Sequence, residues 1–214
     1  MAADGIEFAS LLCSRLCHDL LSPVGALNNG IELLADEHDP EMRARCLDLL
    51  AESARASANK LKFFRLAFGA AGGFGDSVDT REVRAAIEGL FGGDRRIQVG
   101  WMVGDQALGK GAIKILLNLA LIAGDALVRG GRLDIGVESG ANTEIVIRAE
   151  GPRIVLDPEL RTALTGGTSQ DALTPRASAA WLVWQVANER GGSIMISEPE
   201  DGVLMVGAAL PGAG

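Results

Sequence analysis

Residues 6–35 carry an unbroken apolar stripe, Phe8, Leu12, Leu16, Leu20, Val24, Leu27, Ile31 and Leu34, and nothing else in the chain constrains its fold as tightly. The three- and four-residue steps match the turn of an α-helix. The segment Asp36-Glu37-His38-Asp39-Pro40 ends the pattern, with Asp39 suited to an N-cap and Pro40 to the first position of a second helix. That helix runs to about Phe68 and stops at Gly69. It sets Cys46, Leu49, Leu50, Leu61, Phe64 and Phe68 on one side, and its small-residue middle, AESARASAN, permits close approach of a neighbour. Each helix has more apolar surface than the other can cover. The pattern predicts a hairpin that pairs with a second copy into a four-helix bundle.

The stretch AAGGFG, residues 70–75, reads as a linker and divides the chain into a helical unit, 1–70, and a mixed unit, 76–214. The length allows one larger and one smaller domain, each with its own core. The mixed unit opens with a helix over about 80–91, capped by Thr80, with Val83, Ile87 and Leu90 on its apolar face. Strands are expected at 97–103, 132–138 and 144–149, the last two as a hairpin turning on Ser-Gly-Ala-Asn. A long helix over about 105–129 separates the first two strands. A helix over 176–190 ends at Gly191-Gly192 and leads into the short strands SIMIS and VLMVGAAL. The fold class is therefore α+β. Trp181 and Trp184 have the helical spacing of core residues, although the Trp181, Trp184 and Val186 region also suits a partner surface.

Several function classes are disfavoured by composition. A net charge of −8 and a pI near 4.8 oppose sequence-independent attraction to nucleic-acid phosphates. The start, MAADGIEFAS, has no basic region, and the apolar run 111–129 is interrupted by Lys114, Asn118 and Asp125, so neither a secretory leader nor a membrane span is expected. The three cysteines, Cys13, Cys17 and Cys46, sit in helical patterns in an odd number, which suits a reducing, cytoplasmic setting with the thiols as small core residues. Cys13, Cys17 and His18 lack the usual zinc spacing, and no metal site is assigned.

On the first helix His18 stands about 200° around the axis from the Leu16–Leu20 stripe and should face water. Asp19 lies beside it and Ser22 one turn on. A neutral imidazole whose tautomer is held by a carboxylate is a competent nucleophile near neutral pH. A solvent-facing histidine next to an aspartate is also ordinary helix surface, and the residues alone do not decide between the two. Pro23 falls inside the helix five residues later and is expected to kink it. His38 sits among acids in the interhelical turn, where a solvated loop explains it.

The string RLCHDLLSPVGALNNGIELL, residues 15–34, resembles the H-box of dimerising sensor histidine kinases. With LKFFRLAFGA, residues 61–70, the chain is more narrowly similar to the ChpT family of alphaproteobacterial histidine phosphotransferases. This resemblance implies that the C-terminal unit is an α/β sandwich like a histidine kinase ATP-binding (Bergerat) domain. It implies that His18 is the phosphorylated residue, with Asp19 and Ser22 as its catalytic neighbours and exposed Arg15 and Leu21 meeting a partner, Leu21 being equally suited to the bundle core. The implied donor is the receiver domain of a hybrid histidine kinase like CckA. The implied acceptors are response regulators like CtrA and CpdR, and the magnesium ion is supplied by those receivers. Departures from a working kinase accompany the likeness. Ile122 stands where a magnesium-binding asparagine is expected, Ala149 where an aspartate bonds adenine and Arg153 where a glycine lies, while residues 165–182 have no glycine-rich run to approach phosphates. A phosphotransferase without ATP is expected. A divergent ATP-dependent kinase and an inert interaction scaffold remain the alternatives.

Overall fold

The computed structural model describes residues 2–69, 76–92, 96–104 and 106–212, the side chains of residues 2–4 excepted. The linker AAGGFG lies outside the described residues. Helices α1 (Ala2–Asp36) and α2 (Pro40–Ala67) form the expected hairpin. The Asp39 carboxylate accepts from the Glu41 and Met42 amides at 2.8 and 3.0 Å, with Pro40 following it. Arg43 reaches back to the Leu34 and Glu37 carbonyls and satisfies the end of α1. Pro23 and Gly30 are buried, and a Cβ on Gly30 would come 2.8 Å from the Leu50 side chain. The helices approach closely where a side chain is missing.

Two cysteines depart from expectation. Cys13 and Cys17 are exposed and Cys46 is half-buried. At 3.6 residues per turn Cys13 and Cys17 fall on the side of α1 that carries exposed Ile6, Leu21, Val24 and Ile31, next to the side that meets α2. Leu49 and Leu61, expected on the packed side of α2, are likewise exposed. One partner helix leaves part of an apolar arc this wide uncovered.

The rest of the chain runs β1 (Ser77–Asp79), α3 (Thr80–Phe91), β2 (Ile97–Val103), β3 (Ala107–Gly109), α4 (Lys110–Ala126), β4 (Gly131–Ser139), β5 (Asn142–Glu150), α5 (Pro158–Leu164), a 3-10 turn at Gln170–Ala172, α6 (Ser178–Glu189), β6 (Ser193–Ile196) and β7 (Val203–Pro211). Five strands make one sheet in the order β2-β4-β5-β7-β6, parallel between β2 and β4 and antiparallel elsewhere. Leu133, Ile135, Ile145, Ile147, Leu204 and Val206 alternate onto its buried face. Helix α4 packs there, and from Gly111 to Gly124 all of it is buried except Lys114, which is why its sequence is apolar on every side.

Three local details differ from the sequence reading. The cap of α3 is Asp79, whose carboxylate accepts from the Arg81 amide at 2.8 Å, while the Thr80 hydroxyl donates to the Gln106 carbonyl. Helix α4 starts at Lys110 and not near 105, because residues 107–109 pair antiparallel with 77–79. Helix α5 was not anticipated. The last turns of α2 also enter the core of the mixed unit: Phe63, Phe64, Leu66 and Ala67 are buried with α4, and the buried Asn118 amide donates to the Ala67 carbonyl at 3.1 Å. The hairpin base and the mixed unit thus share one core. Trp181 is half-buried, its ring 4.6 Å from that of Phe8, so α6 holds α1 as well.

Candidate functional site

His18 projects from α1 with 84% of its side chain exposed. Its Nδ1 lies 3.2 Å from Asp19 Oδ1. An ionised carboxylate can only accept, so this contact favours the tautomer with the proton on Nδ1, in which Nε2 presents its lone pair to solvent. The other Asp19 oxygen accepts from Arg15 Nε at 3.0 Å. Arg15 then spends both terminal nitrogens on the mixed unit, one on Asp125 Oδ2 of α4 at 2.9 Å and one on the Arg176 carbonyl at 3.0 Å.

The structure therefore brings His18, Asp19 and Arg15 together. Arg15 was expected to be exposed, yet only 12% of its side chain is, because three acceptors surround it. Ser22 is exposed one turn beyond, but the hydrogen bond of His18 goes to Asp19. Leu21 is exposed at 69%. Beside the imidazole a cleft of about 480 Å³ opens between α1 and the turn before α6, lined by Ser14, Arg15, His18, Asp19, Thr174, Pro175 and Arg176. Asp157, the N-cap of α5, holds the Arg176 guanidinium at 3.2 Å.

Sequence reasoning missed Lys60, Asp125 and Arg176. Lys60 Nζ of α2 donates to the Asp19 carbonyl at 2.7 Å. Asp125 showed in the sequence only as an interruption of an apolar run. Burial pushes its pKa above the ordinary carboxylate value and the Asp19 charge adds to that, while Arg15 pulls it down. With 52% of the side chain still accessible, water tempers the shift.

Of the positions tied to nucleotide by resemblance, Ile122 is buried in α4 and Ala149 is buried in β5 between Leu133 and Leu204. Arg153 is exposed. Leu160, Ala163, Leu164 and Leu173 of the segment preceding α6 are buried in the core cluster.

Residues 80–202 match the family model of the histidine phosphotransferase C-terminal domain. The chain belongs to the histidine phosphotransferase family. Protein phosphotransferase ChpT of Brucella abortus (strain 2308) is 32% identical to this phosphotransferase over 200 residues, spanning 93% of this chain and 94% of that protein. A solved bacterial phosphotransferase structure superposes with a TM-score of 0.83 at 29% identity, covering 95% of this chain and 96% of that one. The histidine kinase AdeS of Acinetobacter baumannii is a more distant likeness, 15% identical with a TM-score of 0.46 over 91% of this chain and 97% of its own. The family read from RLCHD and LKFFRLAFGA is thus shown, as is the α+β plan of a helical hairpin followed by a sheet-and-helix unit. Among the described residues no helix is long and apolar enough to cross a membrane.

Proposed function

We propose that this phosphotransferase is a phosphorelay carrier: His18 takes a phosphoryl group from a receiver-domain aspartate and yields it to the aspartate of another receiver, without using ATP. The observation that carries the reading is an exposed imidazole whose Nδ1 faces Asp19 Oδ1 at 3.2 Å, a contact that favours the proton on Nδ1 and the lone pair on Nε2. In the forward step the Nε2 lone pair attacks phosphorus, a P–N bond forms, and the P–O bond to the donor aspartate breaks with its electron pair returning to that carboxylate. The ring becomes an Nδ1-protonated cation whose charge Asp19 offsets. In the second step an acceptor carboxylate oxygen attacks phosphorus, the P–N bond breaks and Nε2 regains its lone pair. No proton need leave the ring. Magnesium belongs to the receivers. The likeness to ChpT supports a hybrid kinase's receiver, CckA-like, as donor and CtrA-like and CpdR-like regulators as acceptors. The 480 Å³ cleft beside His18, with Leu21 and Ser22 on the next turn, suits the receiver's reacting edge. The exposed apolar side of the hairpin supports a homodimer.

The residues fit nucleotide poorly. Ala149 and Ile122 are apolar and buried at the positions that resemblance assigns to adenine and magnesium contacts: the charge-assisted hydrogen bond that Ala149 cannot make is worth about 1.5–3 kcal/mol, or one to two decades of affinity, and Ile122 offers magnesium no oxygen ligand.

The test is transfer from a panel of purified phosphorylated receivers, alongside Mg-ATP alone. Wild-type protein is expected to take label from receivers and none from Mg-ATP, and His18→Gln to take none while losing under about 1 kcal/mol of stability, since the ring is exposed. Direct labelling from ATP would make the protein a kinase. Sustained labelling of His18→Gln would remove the histidine from the reaction.

A further inference from the structure

We infer that Asp19 is fixed by two cations, Lys60 on its main chain and Arg15 on its carboxylate, and that Arg15 thereby lets the mixed unit set the tautomer of His18. The inference rests on the phosphotransfer reading above and names the residues that position its nucleophile.

The first cation follows from Pro23. In a helix the amide of residue i+4 donates to the carbonyl of residue i, and Pro23, four residues after Asp19, has no N–H to give. The orphaned carbonyl is that of the residue next to the nucleophile. Lys60 supplies the missing donor at 2.7 Å from the facing helix. Proline thus exchanges a local hydrogen bond for one that ties the His18 turn to α2.

The second cation works through geometry. The guanidinium is a rigid plane, so the directions of its three nitrogens are not independent. Asp125 and the Arg176 carbonyl take the two terminal nitrogens, and Nε is thereby aimed at Asp19 Oδ2. Oδ1 of the same carboxylate then faces His18 Nδ1. A shift of α4 or of the 174–176 turn would rotate this fork and loosen the acceptor that keeps the proton on Nδ1. Arg15 is a positioning residue.

The experiment uses the full chain with labelled histidine and reads two quantities: the ¹⁵N spectrum of the His18 ring, which distinguishes Nδ1–H from Nε2–H, and single-turnover transfer from a phosphorylated receiver. Arg15→Ala is expected to move population toward Nε2–H and to slow transfer at saturating receiver on the order of tenfold, with receiver affinity changed less than about twofold. Asp125→Ala, which cuts the tether and leaves Arg15 beside Asp19, is expected to do the same to a smaller extent, and Lys60→Met likewise. These variants keep the test open if Arg15→Ala folds poorly. Wild-type tautomer and rate in both Arg15→Ala and Asp125→Ala would overturn the inference while leaving the phosphotransfer reading intact. If the wild type takes no label from any receiver, yet its tautomer responds to Arg15→Ala, the phosphotransfer reading falls and the positioning of the ring stands.

Discussion

Asp125 shares one guanidinium with Asp19, and its titration reports how well that arrangement suits a second carboxylate. Burial raises its pKa, Arg15 opposes, and the charge of Asp19 raises it further, leaving a net upward shift. A carboxyl with a raised folded pKa contributes stability that is fully present below its unfolded pKa, about 4, and is lost as pH rises through the folded value. Asparagine imitates the neutral form and still offers Arg15 an oxygen. The melting temperature of Asp125→Asn, relative to wild type, is therefore expected to be flat below about pH 4 and to climb as pH rises above it. Thermal melts across that range check this, and a difference that falls with pH would mean that Arg15 outweighs burial. The same residues explain what the sequence could and could not tell. His18 was legible as exposed because its angle from the leucine stripe is local arithmetic. Arg15 was not, because its acceptors Asp125 and Arg176 lie 110 and 161 positions away along the chain.

Elements were legible where periodicity or capping chemistry is local. Asp39-Pro40 announced α2, and the same Asp-Pro pair at Asp157-Pro158 opens α5, a helix whose single short turn or two gives too little apolar period to read. The β1–β3 pair was hidden because its strands have three residues each and find each other only across α3 and β2. The packing of α3 on α4 was equally invisible, and it depends on Gly124. A Cβ there would sit 2.3 Å from Phe91 Cζ and 2.4 Å from Cε1, with the ring buried and unable to retreat freely. Gly124→Ala gains about 1 kcal/mol of helix propensity but forces an overpacked contact costing about 1–3 kcal/mol. Net destabilisation of about 1 kcal/mol, a fall in melting temperature of roughly 2–4 °C, is expected. Transfer should slow too, because the next residue is Asp125. A more stable Gly124→Ala protein would show that the ring yields.

At the scale of the whole molecule, the exposed side of α1 remains to be accounted for. Ile6, Cys13, Cys17, Val24 and Ile31 line it, with Ile31 exposed at 58%, and solvent is a poor partner for so continuous a strip. A second hairpin related by a twofold axis would present the same strip in return and bury both. The exposed cysteines then become interior residues, in keeping with the usual burial of free thiols. Leu27 is half-buried in the single chain, so charging it would damage the hairpin itself. Ile31→Asp is the cleaner probe. Wild-type protein is expected to sediment as a dimer at micromolar concentration and Ile31→Asp as a monomer with unchanged helicity. Thiol labelling of Cys13 and Cys17 should be slow in the dimer and fast in the monomeric variant, because only assembly covers them. A monomeric wild type, or equal labelling rates in the two proteins, would leave the strip free and the bundle unformed.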